Sequence, residues 1–432
     1  MWSLPLLSGF VAARGPSRIL PRARASVKAS DVHRVTLRRL PAAVTLVLLA
    51  LGASACAPYA SPSAPPRLIR IATQSPISER YVAEGQALML AVRLAVDELG
   101  GALSKHGLAV EVANYDDRAS VEAGVADARQ IVADPSIMAV VGPLTSDVAL
   151  EVAPIYRDAG LAMVSPSSTH PDLTDRGMPN VFRVCGRDDI QTDLAARFIG
   201  QSLRAKRVHV VHDGTVYGRG NAESFRGAAT RRALALVAFD AAETPEDVPK
   251  VAAAIAGAAP DVLYFAGGSD IGGPLFRETR RAGATARFVG SDGIDSSTLL
   301  RDSGGAAVGA YYTSVAGSVA VHPQAKGFTY QYRRTFDRDP EPFAAQASDA
   351  AAVVLEAIAR AAREPGGVSR ETVVAALRRT RFLGYSGPIV FDERGDLRRA
   401  LYLVMEVSAR DPDRWDDNRE LKRLGLAPPP HP

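Results

Sequence analysis

From Leu68 onward the chain alternates short apolar runs with longer stretches whose apolar residues recur at helical spacing. Leu68–Ala72 is β-prone. Glu84–Leu99 then carries Leu88, Ala91, Val92, Ala95, Val96 and Leu99 on one face, and Gly100-Gly101 stops it. The same pattern predicts strands at Ala109–Val112, Ile137–Val141, Leu161–Val164, Arg207–Val211, Val237–Phe239, Val262–Phe265 and Phe288–Val289. It predicts helices over Val121–Val132, Val148–Asp158, Ser224–Leu234, Val248–Ile255 and Pro274–Ala282. Apolar strands without clean alternation, each followed by a helix, mark parallel sheets covered on both faces. Two such sets predict two doubly wound, Rossmann-like α/β lobes rather than one overlong sheet.

The termini follow a different pattern. Ala42–Ala55 is an apolar run preceded by Arg34, Arg38 and Arg39 and followed at once by Cys56. It is short of the roughly 20 residues that span a bilayer. A basic segment, an apolar run and small residues before a cut are the parts of a secretory signal, so residues 1–55 read as an N-terminal extension and signal peptide. Ala53-Ser54-Ala55-Cys56 resembles a bacterial lipobox, with Ala53 where Leu is usual, and Cys56 is the expected lipidation site. A plain secretory cut near Cys56 is the alternative, and either places the protein outside the cytoplasm. Residues 1–33 are long and Arg-rich for a signal, which a translation start near Val27 or Val35 would explain. Ala57–Pro66, rich in Pro, Ser and Ala, reads as a flexible tether, and Asp411–Arg423 with Pro428-Pro429-Pro430 as a solvated tail.

Composition narrows the function classes. Of 432 residues 47% are hydrophobic and 23% charged, which excludes a largely disordered chain. Lys and Arg total 51 against 47 Asp and Glu, and no basic stripe with interleaved aromatics occurs, so a nucleic-acid partner is not expected. Two cysteines exclude a disulfide scaffold, and Cys185 reads as a buried free thiol. No metal-ligand spacing, Walker loop, Gly-x-Ser-x-Gly elbow or His-Glu-x-x-His appears, so neither metal, cofactor nor catalysis is expected. His209 and His212 fall on opposite faces of a strand and make poor metal partners.

Doubly wound sheets bind ligands beyond the carboxyl ends of their strands, and there the polar clusters fall. They are Gly142–Asp147, Ser165–His170, His212–Gly218 and Gly290–Gly293, two from each lobe. Ser146 is placed to cap the helix over Val148–Asp158, where unpaired N–H groups attract an anion. Ser167, Ser168 and Thr169 add hydroxyls and backbone groups on a loop stiffened by Pro166 and Pro171. Asp292 supplies a carboxylate from the second lobe, and Tyr217 an aromatic cover. Each has an ordinary structural reading as a cap, turn or surface aromatic. Together they match a zwitterion, a small α-amino acid.

These residues carry a resemblance. From about Leu68 to Val407 the chain resembles the Leu/Ile/Val-binding proteins, the class I periplasmic solute receptors of ABC importers. The likeness lies in Ile69-Arg70-Ile71, Tyr115-Asp116-Asp117, Val141-Gly142-Pro143, Ser165–Thr174, Val211-His212-Asp213 with Tyr217-Gly218, Gly290–Gly293 and Gly387–Asp396. The resemblance implies two lobes joined by crossovers near Cys185–Arg187, Val308–Ser314 and Phe382–Gly387. It divides the chain into residues 67–185 with 315–384 as lobe 1, and 186–314 with 385–408 as lobe 2. Residues 56–66 are then the lipidated Cys and tether, and 409–432 the tail.

By position, the resemblance implies that Ser146 binds the ligand carboxylate through hydroxyl and N–H and that Thr169 supplies a further hydroxyl and N–H. The Ser167 carbonyl and Asp292 would take the ammonium, Tyr217 would close from the second lobe, and Tyr81 would line the side-chain pocket. Gly268 departs from the family by standing where some members carry an aromatic, so the pocket is expected to be roomier or differently closed. The implied function is a lipid-anchored receptor delivering a small amino acid, branched-chain by default, to an ABC permease. A sensory or transport receptor for an amide, urea or aromatic acid is the alternative.

Overall fold

The computed structural model describes residues 65–429. The expected signal, Cys56 and most of the tether lie outside the described residues. Strands β1 (Arg67–Ser75), β2 (Leu108–Asp116), β3 (Ile137–Val141), β4 (Ala162–Ser165) and β5 (Val181–Arg183) form a parallel sheet in the order β2-β1-β3-β4-β5. β3 and β4 are buried throughout, which is why their sequences run apolar without alternation, whereas the edge strand β2 is mostly half-exposed. Helices Val82–Leu99 and Ala344–Ala361 contribute to the apolar layer on one face, and Val121–Ala133 and Ser146–Asp158 to the other.

The second lobe is built from β6 (Arg207–His212), β7 (Ala235–Ala241), β8 (Val262–Ala266), β9 (Arg287–Gly290) and β10 (Tyr311–Ser314), parallel in the order β10-β9-β8-β6-β7. A small antiparallel pair, β11 (Phe382–Leu383) and β12 (Pro388–Ile389), precedes β13 (Ala400–Glu406) and β14 (Arg419–Leu426). The last two extend the second sheet beyond β10 as antiparallel strands.

The structure corrects several expectations. The chain leaves the first lobe after β5 and re-enters it after β10, but its last crossing comes later than Phe382–Gly387. The Phe391 ring packs tilted against Phe182 with centroids 4.9 Å apart, and Arg183, at the end of β5, pairs with Asp396, so residues 385–397 are not second-lobe chain. Asp411–Arg423 is not a solvated tail either. Trp415 is buried with its indole N–H donating to Asp295 Oδ1 at 2.9 Å, and β14 pairs along β13. Its charge is that of an edge strand, whose outward positions favour Arg, Lys and Glu. The helix expected from Ser224 begins at Val216, its start hidden by Gly218 and Gly220. A Cβ at Gly218 would stand 2.1 Å from Asp213 Oδ1 and one at Gly220 2.7 Å from His170 Nε2, so close approach outweighs helix propensity there.

Candidate functional site

The switch point of the first sheet lies between β1 and β3, and the segments leaving β1, β3 and β4 converge beyond it. After β3 the helix starts at Ser146, two residues earlier than expected, and its cap moves back by one. Thr145, not Ser146, is the cap, its Oγ1 accepting from Val148 N at 3.5 Å. Ser146 stands in the first turn, and its Oγ accepts from His170 N at 3.4 Å, tying the β3 and β4 loops together. In the β4 loop, Ser165 Oγ accepts from Ser168 N at 2.9 Å and Ser167 Oγ donates to Leu144 O at 2.8 Å. The wholly buried Arg183 guanidinium supports this loop, donating to Ser168 O at 3.1 Å and His170 O at 3.0 Å. Asp396 holds that arginine through Nε at 2.5 Å and also takes Arg187 Nη1 at 2.8 Å. Removing one member of such a buried set typically costs about 3–5 kcal/mol, so the loop's shape depends on the hinge ion pairs.

From the second lobe, the Tyr217 hydroxyl lies 2.8 Å from both Asp292 Oδ1 and Ser291 Oγ and accepts from Gly293 N at 2.9 Å. Burial raises the Asp292 carboxyl above its ordinary range and pushes the Tyr217 phenol up as well. Asp188 is buried behind them, its N–H donating to Thr169 O at 3.1 Å and its Oδ1 accepting from Asn221 Nδ2 at 2.8 Å. Burial raises Asp188, and the Asp292 charge raises it further. Of this pair Asp292 ionises first, and Asp188 stays protonated longer.

Between the lobes lies a cavity of about 140 Å³. A cavity of roughly 150 Å³ takes a benzene molecule, so the space suits a small ligand. Ser146, Ser167, Tyr217, Asp292 and Tyr81 all line it, as the sequence led us to expect. Ser168 and Thr169 do not. The Ser168 hydroxyl is spent on the carbonyls of Pro143, Leu144 and Thr145, which makes it a loop brace. Thr169 Oγ1 is buried beside the Asp188 carboxyl rather than at the cavity wall.

Of the rest of the wall, Leu144, Thr145, Asp147, Thr215 and Gly293 fall within the polar clusters after the strands, whereas Arg80, Glu84, Ala119, Asp295 and Phe343 were not anticipated. Nothing local marked Phe343. Tyr81 (φ 55°) and Phe343 (φ 69°) are bulky aromatics held in the left-handed region just before the helices Val82–Leu99 and Ala344–Ala361. Strain of this kind persists where surrounding structure imposes it and concentrates at ligand sites. Tyr81 also answers the question posed by Gly268. Its hydroxyl would stand 2.4 Å from a Cβ at that glycine, so Tyr81 closes the space where an aromatic was missing.

The lobes meet across this cavity. Asp147 accepts from Val216 N at 2.9 Å and Tyr217 N at 3.2 Å, taking the first two N–H groups of the second-lobe helix. Arg80 pairs with Asp270 at 2.8 Å, and Ser297 Oγ donates to Glu341 at 2.7 Å. What the cavity offers chemically is hydroxyl and backbone donors together with Arg80, Glu84 and Asp147 on the first lobe, and the carboxyls of Asp292 and Asp295 with the Tyr217 hydroxyl on the second. Among the described residues no group of acids, histidines and cysteines is arranged to hold a metal. His209 instead pairs with Asp240 at 2.7 Å, and Cys185 is a buried free thiol whose ionisation burial opposes. No described helix is long and apolar enough to cross a membrane.

Comparison with known proteins agrees with this geometry. The family model described as periplasmic binding protein matches residues 68–411. The Leu/Ile/Val-binding protein BraC3 of Rhizobium johnstonii is 32% identical over 342 residues, covering 76% of this chain and 89% of that protein. The leucine-, isoleucine-, valine-, threonine- and alanine-binding protein of Pseudomonas aeruginosa is 29% identical over 368 residues, 82% of this chain and 94% of that one. The crystal structure of the leucine binding protein LivK from Thermotoga maritima superposes with a TM-score of 0.73 at 27% identity, over 82% of this chain and 98% of that one. With the family's class I fold, and with its model matched from the first strand to beyond β13, the chain belongs to the periplasmic binding protein family.

Proposed function

We propose that the protein captures a small α-amino acid between its lobes, outside the cytoplasm, and delivers it to an ABC permease, held at the membrane by a lipid on Cys56. The observation that carries this reading is the opposition inside one cavity of Ser146 and Ser167 on the first lobe to Asp292 on the second. The helix N-terminus at Ser146 suits a carboxylate, and Asp292 suits an ammonium. The names of the relatives support an amino acid, with branched-chain side chains as the starting assumption. Leu144, Tyr81 and Phe343 offer the apolar contacts such a ligand needs. Closure favours the liganded form by as much as the closed state binds more tightly than the open one.

Calorimetric titration with a panel of amino acids, amides, urea and aromatic acids tests the ligand class. An α-amino acid should bind, and Asp292→Ala should weaken it at least tenfold, because a charge-assisted hydrogen bond is worth about 1.5–3 kcal/mol. Unchanged affinity in that variant would remove the ammonium assignment. Silence from every amino acid, with heat from an amide or aromatic acid, would replace the ligand class. For the anchor, Cys56→Ser should move the protein from the membrane fraction to the soluble one.

A further inference from the structure

A plain zwitterion leaves part of this cavity unanswered. Its wall carries the acids Glu84, Asp147, Asp292 and Asp295, against the single cation Arg80 among the described lining residues. Some of that charge is already matched. Asp147 receives two backbone N–H groups from the second-lobe helix, and Arg80 is engaged by Asp270. An α-ammonium on Asp292 leaves Glu84 and Asp295 without a counterpart.

Both remaining acids are poorly compensated. Asp295 is 2% exposed; Trp415 donates to its Oδ1 and the Ser314 and Tyr312 hydroxyls lie beside the carboxyl, while Oδ2 is buried without a well-formed hydrogen bond and without a cation near it. The charge that acts on it most is that of another acid, Asp292. Glu84, in the first turn of the helix Val82–Leu99, has the Ser296 hydroxyl beside it, but the charges that weigh on it most are again acids, Glu341 and Asp270. A buried carboxylate oxygen without a donor is costly, and nothing in the apolar contacts of a branched side chain would relieve it. Ser296 follows Asp295 directly, so Glu84 and Asp295 reach the cavity from opposite lobes but from neighbouring positions.

We infer that the ligand is an α-amino acid whose side chain carries a second positive charge, with Asp292 meeting the α-ammonium and Glu84 and Asp295 the side-chain cation. The inference rests on the amino-acid reading proposed above and sharpens its substrate class. Tyr81, Leu144 and Phe343 would then cover the methylenes between the two charges, as apolar surface covers the stem of a buried lysine. A ligand of this class brings to Asp295 Oδ2 the donor it lacks, and its binding neutralises the excess of acids on the cavity wall.

The test is calorimetric titration of the purified protein at pH 7.5 with lysine, ornithine, arginine and 2,4-diaminobutyrate, against leucine, isoleucine, valine and glutamine. At least one cationic amino acid should bind tenfold or more tightly than each of the others. Glu84→Gln and Asp295→Asn should each lower the ratio of cationic to leucine affinity at least tenfold. Asp295→Asn retains an oxygen for Trp415, and Glu84→Gln gives a second reading should the first variant misfold. Tighter binding of leucine, isoleucine, valine or glutamine than of every cationic amino acid would overturn this inference and leave an amino-acid receptor standing. An unchanged ratio in both folded variants would also overturn it. Silence from all α-amino acids would remove the parent proposal instead.

Discussion

At the scale of single residues, the cavity is shaped by what its glycines leave out. Gly268 has an extended backbone that any residue could adopt (φ −82°), so its need is one of space alone. A Cβ there would stand 2.4 Å from Tyr81 Oη and 2.6 Å from Cε1, and Arg80 holds that tyrosine from behind, donating to its hydroxyl at 2.9 Å. Gly268→Ala should therefore displace Tyr81, weakening ligand at least tenfold with little change in the unfolding temperature of the free protein. Tyr81→Ala should absorb that loss, so the two substitutions together should cost clearly less than the sum of their separate effects in a calorimetric double-mutant cycle. Strict additivity would show that the glycine acts elsewhere. Ser146, Tyr217 and Asp292 were legible in the sequence because they follow strand ends, where a doubly wound fold must put its ligand. Phe343, Arg80 and Glu84 were not, since each belongs to a segment whose approach to the cleft is set by tertiary packing. Thr169 shows the converse: its place after β4 suggested a ligand contact, yet its hydroxyl does not reach the cavity.

At the scale of elements, the helix Val216–Arg231 is one of the places where the two lobes meet across the cavity. Its cap is internal, Thr215 Oγ1 accepting from Gly218 N at 2.9 Å, while its first two N–H groups point across the cleft to Asp147. A carboxylate at a helix N-terminus stabilises by about 0.3–1 kcal/mol, reaching ~2 in partly buried geometry. This interaction exists only while the lobes are together, and it holds the helix that carries Tyr217 at the cavity wall. Asp147→Ala should therefore speed ligand release severalfold in stopped-flow measurements while leaving the free protein's stability nearly unchanged. A release rate equal to the parent's would show that closure does not depend on this contact. The strands were read well because buried parallel strands announce themselves as unbroken apolar runs. This helix and the β14 edge were read poorly, the one because its glycines are dictated by neighbours, the other because an edge strand's charges imitate a tail.

For the molecule as a whole, pH tests how much buried acid the fold carries. Burial raises the carboxyls of Asp349 and Asp295 to about 6 and that of Asp117 to about 7. A folded pKa above the unfolded value near 3.9 means stability that is fully present below that value and lost as pH rises through the folded pKa. Other groups set the acid limit. Burial works against Asp396, but the Arg183 and Arg187 guanidiniums prevail and hold its carboxyl low, so its contribution is present above the ordinary carboxylate range and lost as pH falls. The half-buried His170 and the buried His212 and His322 are also lowered by desolvation, so what they contribute is lost on acidification. Above the ordinary histidine value near 6.5 they approach neutrality in both states, and the remaining slope belongs to the acids. Asp117 isolates that slope: it is fully buried, its Oδ1 accepts from Ala119 N at 3.0 Å, and its Oδ2 has no partner. Free of ligand, these acids should make the protein lose unfolding temperature from about pH 4 to about pH 7, with the part above pH 6.5 coming from those with the highest folded values, such as Asp117. Asp117→Asn keeps the oxygen that Ala119 needs and removes the charge, so it should flatten the profile, its advantage over the parent being smallest near pH 4 and growing until about pH 7. A variant that tracks the parent at every pH would mean that Asp117 ionises as freely in the folded chain as in the unfolded one.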